Sequence, residues 1–464
     1  MVGGGIYGAA AAWDAAQRGL AVALVEAADF GSGVSWNSLK TIHGGLRYLQ
    51  SADLPRMRES IRERRALLRI APALVKPLPF LVPTYGHGLR GREALGLGLR
   101  LNDLVSHDRN RGLIPEQRLA PGRLLSRAEV LARVPGLAAD GLTGGALWND
   151  AQVTSSERLT VGLLHAASSH GAVIANHVEA DGFLRSGSRV AGVKARAAED
   201  GATLEIRARV VLNAAGPAVD SLLVRAGIAR GSAPLLQAVN LVLSRPLVRG
   251  QALGAALEDR FLFVVPWRDR SILGTAYAPA QSGGAADLAR RFLDEARRAF
   301  PWAGLGEADV ALVHKGLVPG RGGASGLATR PRLIDHEARD GTPGLVSVQG
   351  VKYTTARGVA EQAVDLVFRR LQRASPACRT AETLLEAAAP LTGTLEGRTR
   401  TAVSEEMART LADAVLRRLD LGTAGPPAPD DLDTVGRVMA AELGWSEPRL
   451  REERQALAKT YGPP

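Results

Sequence analysis

The chain has 464 residues, 46% of them hydrophobic and 23% charged, which is enough for two or three domains with a sizeable core. Its one cysteine, Cys378, excludes an internal disulfide and any cysteine-rich metal site, and no metal is expected. Most of the net charge of +11 reads as arginines spread over a solvated surface. The remainder suits anionic small molecules or an anionic membrane face. With aromatics at 4% and no nucleic-acid-binding signature, nucleic acid is excluded as an expected partner.

The opening residues read as strand stub, glycine turn and helix. An Ala-rich helix is expected over residues 7–18, stopped by Gly19. Ala21-Val22-Ala23-Leu24-Val25 is a short continuous apolar run with β-branched members, which predicts a buried strand ending at Glu26. Strand, helix and strand in that order make a βαβ unit and so a parallel sheet. Only Met1 and Val2 precede Gly3, where such a strand holds about five residues, so further apolar residues are expected upstream. No basic stretch followed by an apolar one opens the chain, and no apolar run reaches the roughly 18 residues of a membrane span. The expectation is a cytoplasmic protein.

Residues 54–70 predict a long amphipathic helix. Its polar face carries Arg56, Arg58, Glu59, Arg62, Glu63, Arg64 and Arg65 as a solvent-exposed, salt-bridged surface. Pro72, Pro77, Pro79 and Pro83 then mark a connection to another region. Between residues 89 and 111, arginines 90, 92, 100, 109 and 111 flank Leu95, Leu97, Leu99 and Leu101. Peripheral membrane contact and packing on the protein's own core are both open readings of this stretch. A helix is expected over 153–169, with strands at 172–174, 210–212, 241–243, 261–265, 271–273 and 345–348. A further helix is expected over 355–370. Beyond about residue 387 the tail is helical with one Gly/Pro loop, and it reads as a separate domain.

Gly3-Gly4-Gly5-Ile6-Tyr7-Gly8 satisfies the G-x-G-x-x-G pattern. Gly3 permits the tight turn, Gly5 lets backbone approach a pyrophosphate, and Gly8 lets helix and strand pack closely. The helix that follows directs free N–H groups and a positive dipole end at the phosphates. Glu26, roughly 20 residues on at the end of the next strand, is placed to accept ribose hydroxyls. The sequence therefore points to an adenine dinucleotide. The small-residue loop Gly31-Ser-Gly-Val-Ser-Trp-Asn-Ser-Leu-Lys40 would let a flat ring system lie against backbone.

The run Ile42-His-Gly-Gly-Leu-Arg-Tyr-Leu49 resembles the signature of the FAD-dependent glycerol-3-phosphate dehydrogenases. Leu212-Asn-Ala-Ala-Gly-Pro217, Val265-Pro-Trp-Arg-Asp-Arg-Ser-Ile-Leu-Gly-Thr275, Ala328-Thr-Arg330 and Ser347-Val-Gln-Gly-Val-Lys-Tyr-Thr-Thr355 resemble further family segments in the same order. Glu406-Met-Ala-Arg-Thr-Leu-Ala-Asp413 resembles part of the family's C-terminal helical domain. The resemblance implies an α/β fold in three parts. An FAD-binding Rossmann-like domain is built from residues 1–75, 141–234 and 328–375. An antiparallel-sheet substrate domain comprises 76–140 and 235–327, and a C-terminal helical domain 387–464.

Family members oxidise sn-glycerol 3-phosphate to dihydroxyacetone phosphate by hydride transfer to flavin N5 and pass the electrons to a quinone or another acceptor. The implied partners here are a small phosphorylated polyol, that acceptor, and the cytoplasmic face of a membrane. Carried over residue by residue, the implied cofactor contacts are Gly3, Gly5, Gly8, Glu26, Ser35, Ser38, Lys40, His43, Gly44, Gly45, Ala215, Gly216, Gly350 and Thr354. His43, Arg47 and Lys352 are the implied catalytic residues. Arg47, Tyr48, Arg330 and Lys352 are the implied substrate contacts. His43 suits proton acceptance, because a neutral imidazole exists near physiological pH. Packing on the flavin or capping a turn is the equal alternative for it.

Three substrate-side positions depart from the family pattern. Val318 stands where the family has arginine, with Arg321 as a nearby substitute. Asn240 stands at a histidine position, and Tyr277 ends a segment the family closes with aspartate. These departures keep two alternatives open: a related oxidoreductase acting on another hydroxy or amino substrate, and a weakly catalytic flavin-binding partner.

Overall fold

The computed structural model describes residues 1–88, 91–228, 234–257, 260–321 and 326–461. The helix Ile6–Gln17 is made largely of alanine and is buried on nearly every side. Short side chains let two further helices, Ser156–Ser169 and Ala356–Arg370, pack close against it with Trp13 and Phe368 filling the core between. The first of these begins three residues later than the sequence pattern suggests, because Ser155 caps it by accepting the Arg158 N–H.

Beneath these helices lies a parallel sheet. Ala23–Val25 pairs with Val173–Ala175, and Val211–Asn213 pairs with Leu345–Gln349, which in turn runs antiparallel to Arg332–Asp335. Val2 bridges the two halves, lying parallel to both Val25 and Asn213. It donates to the Leu212 carbonyl at 2.9 Å and accepts from Ala214 N at 2.8 Å. The central strand position is thus filled by one residue next to the glycine turn.

The second layer is a large sheet in the order Val310–Pro319, Leu235–Leu243, Arg270–Pro279, Phe261–Trp267, Ala252–Ala256, Val75–Tyr85, Leu142–Val153 and Thr41–Ile42. All neighbours are antiparallel except Ala252–Ala256 beside Val75–Tyr85. Leu142–Val153, grouped with the dinucleotide unit from sequence, pairs along its length with Val75–Tyr85 and belongs to this sheet. Its residues alternate between two apolar faces, so sequence pattern alone does not say which sheet takes it. The Pro-rich stretch 75–85 tolerates three prolines within this strand.

The helix Leu54–Ile70 has the expected bounds, but its charged face is not all solvated. Glu63 and Arg64 are buried. Glu63 pairs with Arg357 at 2.6 Å, and Arg64 pairs with Asp150 of the large sheet. Tertiary partners on two sides decide the burial of residues whose local spacing reads as surface. The helix Arg92–Val105 buries Leu99 alone among its leucines, while Leu97, Leu101 and Leu104 are exposed. Leu89 and Arg90 lie outside the described residues.

The tail comprises the helices Leu395–Ser404, Pro429–Leu443 and Glu447–Ala458 and a π-helical turn, Asp413–Arg418. It packs on the large sheet through Val242, Trp267, Ile272 and Leu312. A buried ion network joins it to the dinucleotide half. Asp29 accepts from Arg417 and, at 2.7 and 2.9 Å, from Arg418. Glu406 receives Arg158 at 2.6 Å, and Asp413 meets His177 at 2.8 Å.

Candidate active site

The opening turn is as tight as its glycines require. Gly3 has φ +102°, and a Cβ there would lie 2.5 Å from the Ala214 carbonyl oxygen. A Cβ on Gly8 would lie 1.9 Å from the Gly3 oxygen, so that position closes the helix onto the turn. Gly5, by contrast, faces only Ser35 Oγ at 3.1 Å and leaves its backbone approachable. No acid stands in the first turn of the helix. Ser35 Oγ accepts the Ile6 N–H at 3.0 Å.

Glu26 is half-buried at the strand end. Its two oxygens accept from Gly4 N at 2.6 Å and Ala28 N at 3.0 Å, which fixes the carboxylate beside the glycine turn, and burial pushes its carboxyl up. An open helix N-terminus, an approachable glycine and a fixed carboxylate together fit the diphosphate and ribose of an adenine dinucleotide. Ala215 and Gly216 follow Val211–Asn213 at the neighbouring strand end, close to Gly3. Gly350 packs on the Tyr7 ring, where a Cβ would approach to 2.1 Å, and Thr354 is buried in the turn that follows.

Two implied cofactor residues are otherwise engaged. Lys40 is fully buried, and its ammonium donates to Glu157 at 2.5 Å, Ser156 Oγ at 2.8 Å and the Trp36 carbonyl at 2.8 Å. Its charge is neutralised inside the protein. Ser38 Oγ accepts the Lys40 N–H at 3.2 Å and so shapes the loop locally.

His43 sits beside the rings of Phe80 and Phe263. Its Nδ1 lies 3.0 Å from Asp150 Oδ2 and its Nε2 lies 2.9 Å from Thr41 Oγ1. Burial opposes the charge on Asp150, but Arg64, His43 and the Gly44 N–H bring the carboxyl down to about 2. An ionised Asp150 requires the proton on Nδ1, so Nε2 is the acceptor nitrogen and receives the Thr41 hydroxyl. Gly44 is held by the same carboxylate, with its N–H donating to Oδ1 at 2.7 Å, and a side chain there would displace the Arg64 guanidinium from Asp150. The left-handed Gly45 then starts the short helix Leu46–Ser51 that carries Arg47 and Tyr48.

Around Tyr48 the structure gathers cations from three separate segments. Lys352 Nζ lies 4.1 Å from the Tyr48 ring centre, Arg56 5.0 Å and Arg47 5.7 Å. Arg56 pairs with Asp53 at 3.0 Å, and Arg330 reaches the same carboxylate oxygen at 3.4 Å. Arg47 and Lys352 have no carboxylate partner among the described residues. The Tyr48 hydroxyl is buried and without a hydrogen-bond partner. Burial, and then the charge of Arg47, push the Lys352 ammonium down to about 7.

Of the divergent positions, Tyr277 lies within reach of this group's charge. Asn240 is buried, accepts the Thr275 hydroxyl at 2.7 Å and faces Gly274, whose Cβ position lies 2.2 Å from its side-chain oxygen. Tyr277, two residues beyond Thr275, lies within the field of Arg47 and Arg260. Arg321 turns to Thr329 Oγ1 at 3.3 Å, and Val318 sits on the edge strand Val310–Pro319 opposite Leu236.

The sequence reading missed Asp150, Arg64, Asp53 and Arg56. A signal existed for two of them. Arg64 falls on the apolar stripe Met57, Ile61, Leu68 of its helix, and Asp150 is an acid inside an apolar strand. A charge at a core position predicts a buried partner. Asp53 and Arg56 flank a helix start and read as ordinary capping residues.

Comparison with known proteins places the chain in a family and a fold. Residues 1–366 match the family model described as FAD dependent oxidoreductase, and residues 376–450 match the C-terminal domain of alpha-glycerophosphate oxidase. The chain is 35% identical over 376 residues to a glycerol-3-phosphate dehydrogenase of Mycobacterium leprae, covering 79% of this chain and 62% of that protein's length. In fold it is similar to the glycerol-3-phosphate dehydrogenase from Bacillus halodurans complexed with FAD, with a TM-score of 0.75 at 23% identity over 99% of this chain and 93% of that one. It is also similar to the L-proline dehydrogenase from P. horikoshii, with a TM-score of 0.58 at 17% identity over 79% of this chain and 92% of that one.

Proposed function

The chain belongs to the FAD dependent oxidoreductase family, and from that premise we propose that it oxidises sn-glycerol 3-phosphate to dihydroxyacetone phosphate. The observation that carries the reading is the group of cations around Tyr48, two of which lack any carboxylate partner among the described residues. Cations that the protein leaves unneutralised at a half-buried site suit a ligand that brings the negative charge, and a phosphate monoester brings nearly two.

Bound FAD supplies a two-electron acceptor for the hydrogen on substrate C2. The glycine turn and Glu26 hold its adenosine diphosphate half. Arg47, Lys352, Arg56 and Arg330 grip the phosphate and so fix the carbinol end of the substrate. His43 Nε2 accepts the hydroxyl proton once the Thr41 hydroxyl rotates away, and Asp150 holds the imidazole in the tautomer that leaves Nε2 free. Phe80 and Phe263 flank that imidazole on one side, and its other side is open, with 44% of the side chain exposed.

We read the electron acceptor as a membrane quinone. Leu97, Leu101 and Leu104 are exposed at helical spacing, with Arg100 and Arg111 nearby, on the helix that packs against Leu46–Ser51. No described helix is long and apolar enough to cross a membrane, so the contact would be peripheral. Co-flotation with vesicles containing anionic lipid, lost in a Leu97→Ser, Leu104→Ser variant, is the expected result.

A second reading, a different hydroxy or amino substrate, is favoured by Val318, Asn240 and Tyr277. One experiment separates the two. FAD-loaded protein is mixed anaerobically with glycerol 3-phosphate, and the flavin band is followed. Bleaching within seconds supports the first reading. Bleaching only with other hydroxy or amino compounds replaces it with the second.

A further inference from the structure

We infer that Lys352 takes up a proton from solvent when a phosphorylated ligand enters the cluster around Tyr48, so that this site binds a dianion and a proton together. The inference rests on the phosphate-ester reading above and adds a linkage to it.

The geometry begins with a fixed backbone. The Tyr7 hydroxyl donates to the Lys352 carbonyl at 2.7 Å and accepts from Val351 N at 3.1 Å and Lys352 N at 3.2 Å. This clamps the backbone of the turn between Leu345–Gln349 and the helix Ala356–Arg370 at the base of the Lys352 side chain. Its ammonium lies against the Tyr48 ring and makes no ion pair among the described residues. Lys40 shows what a fully buried lysine in this protein has when its partner is internal: Glu157 at 2.5 Å. For Lys352 the corresponding carboxylate is missing.

The charged groups that face it come from several elements. Leu46–Ser51 contributes Arg47 and the Tyr48 hydroxyl. The start of Leu54–Ile70 contributes Arg56 and Glu59, whose own carboxyl is pushed up by burial and by Glu63. Asp53 is already shared by Arg56 and Arg330. Tyr7 contributes a phenol, and Tyr277 lies beyond Arg47. The charge on this list nearest to Lys352 in effect is Arg47, which repels it. Burial and Arg47 together hold Lys352 at about 7, so much of the free protein carries it neutral at neutral pH and above. An opposite charge within about 4–6 Å raises such a group by roughly 1–3 units. A dianion between Arg47 and Lys352 would therefore bring the proton on.

The test is titration calorimetry of the FAD-loaded protein with dihydroxyacetone phosphate at pH 8.3, in buffers of different ionisation enthalpy. At that pH the ligand's phosphate, with a second pKa near 6, is already a dianion, so any proton taken up belongs to the protein. The expected uptake is about 0.8–0.9 proton per ligand, which follows from a group near 7 rising by two to three units. In Lys352→Arg, whose side chain is always charged, the uptake falls to near zero while binding persists. Binding without uptake, or uptake undiminished in Lys352→Arg, overturns the inference. Glycerol 3-phosphate bleaching of the same sample reports separately on the substrate reading. A protein that neither bleaches nor binds the product loses both.

A measurement on the unsubstituted protein guards against a variant that fails to fold. With six lysines in the chain, ¹³C-lysine labelling resolves each Cε resonance through a pH titration. A Lys352 signal with a midpoint near 7, moving up by one unit or more with ligand, supports the linkage. A midpoint above 10 without ligand contradicts it.

Discussion

Two clusters of charge in this protein use the same residue types to opposite ends. At the junction with the C-terminal helices, Asp29, Glu406 and Asp413 meet Arg417, Arg418, Arg158 and His177, and each of these basic side chains has its carboxylate. Burial opposes the charge on Asp29, yet Arg418 and Arg417 hold its carboxyl well below the usual range. At Tyr48, Arg47 and Lys352 are left without an acid, and Arg56 and Arg330 share one. A closed network holds parts of a fold together. An open one is a half-made interaction whose other half arrives with a ligand. Asp29, His177 and Asp413 also bring ligand-type atoms within 4.8 Å of one another. Both Asp29 oxygens accept from guanidinium groups, and Asp413 accepts from Arg417 on one oxygen and from His177 and two backbone N–H groups on the other, so the cluster fits the closed class.

Substitutions sharpen this contrast. The largest expected effect is catalytic. On the proposed mechanism His43→Asn removes the proton acceptor, and turnover should fall about 10²–10⁴-fold with the flavin spectrum unchanged. A fall in flavin content instead of turnover would assign His43 to packing on the cofactor. Next comes the closed network. Asp29→Asn removes the carboxylate that Arg417 and Arg418 share, leaving Arg417 with Asp413 alone and Arg418 with Glu406 at 3.9 Å, and should cost about 3 kcal/mol in urea unfolding. The same experiment on Arg47→Ala should show no loss of stability, because Arg47 has no partner to strand. Its effect belongs in substrate affinity, where KM should rise about tenfold or more, corresponding to about 1.5–3 kcal/mol. If Arg47→Ala destabilises the protein as Asp29→Asn does, the distinction between closed and open clusters fails.

The smallest effect is a pH dependence. Asp413 raises the His177 imidazole above its ordinary value against the opposing effect of burial. A group whose folded pKa is raised contributes stability that is complete below its unfolded value, near 6.5, and lost as pH rises through the folded value. Unfolding free energy should therefore decline slightly over that interval above pH 6.5, and His177→Gln should flatten the decline.

Much of this was legible in the residues. The glycine turn, the alanine helix and the acid closing the next strand specify the dinucleotide half, because each needs only local sequence. The helix bounds at Leu54–Ile70 follow equally from local spacing. What was hidden depends on distant partners. Arg64 becomes buried only because Asp150, 86 residues away, crosses its helix. Lys40, placed near the flavin by motif, turns inward to Glu157, 117 residues on. Leu142–Val153 joins the large sheet through pairing with residues some 60–80 positions earlier. Pairings of this range leave no periodicity in a local window, so a sequence shows that a charge is present without showing whether it is already matched.

The central claim is that the unmatched cations select an anionic substrate for oxidation. Its most direct measurement compares glycerol 3-phosphate with glycerol as reductants of the FAD-loaded protein under anaerobic conditions at equal concentration. The two share the carbinol and differ in the phosphate. The account predicts rapid flavin bleaching by the phosphate ester, slowed by added sulfate, and none by glycerol on the same timescale. Equal bleaching by both, or bleaching by neither, would contradict it.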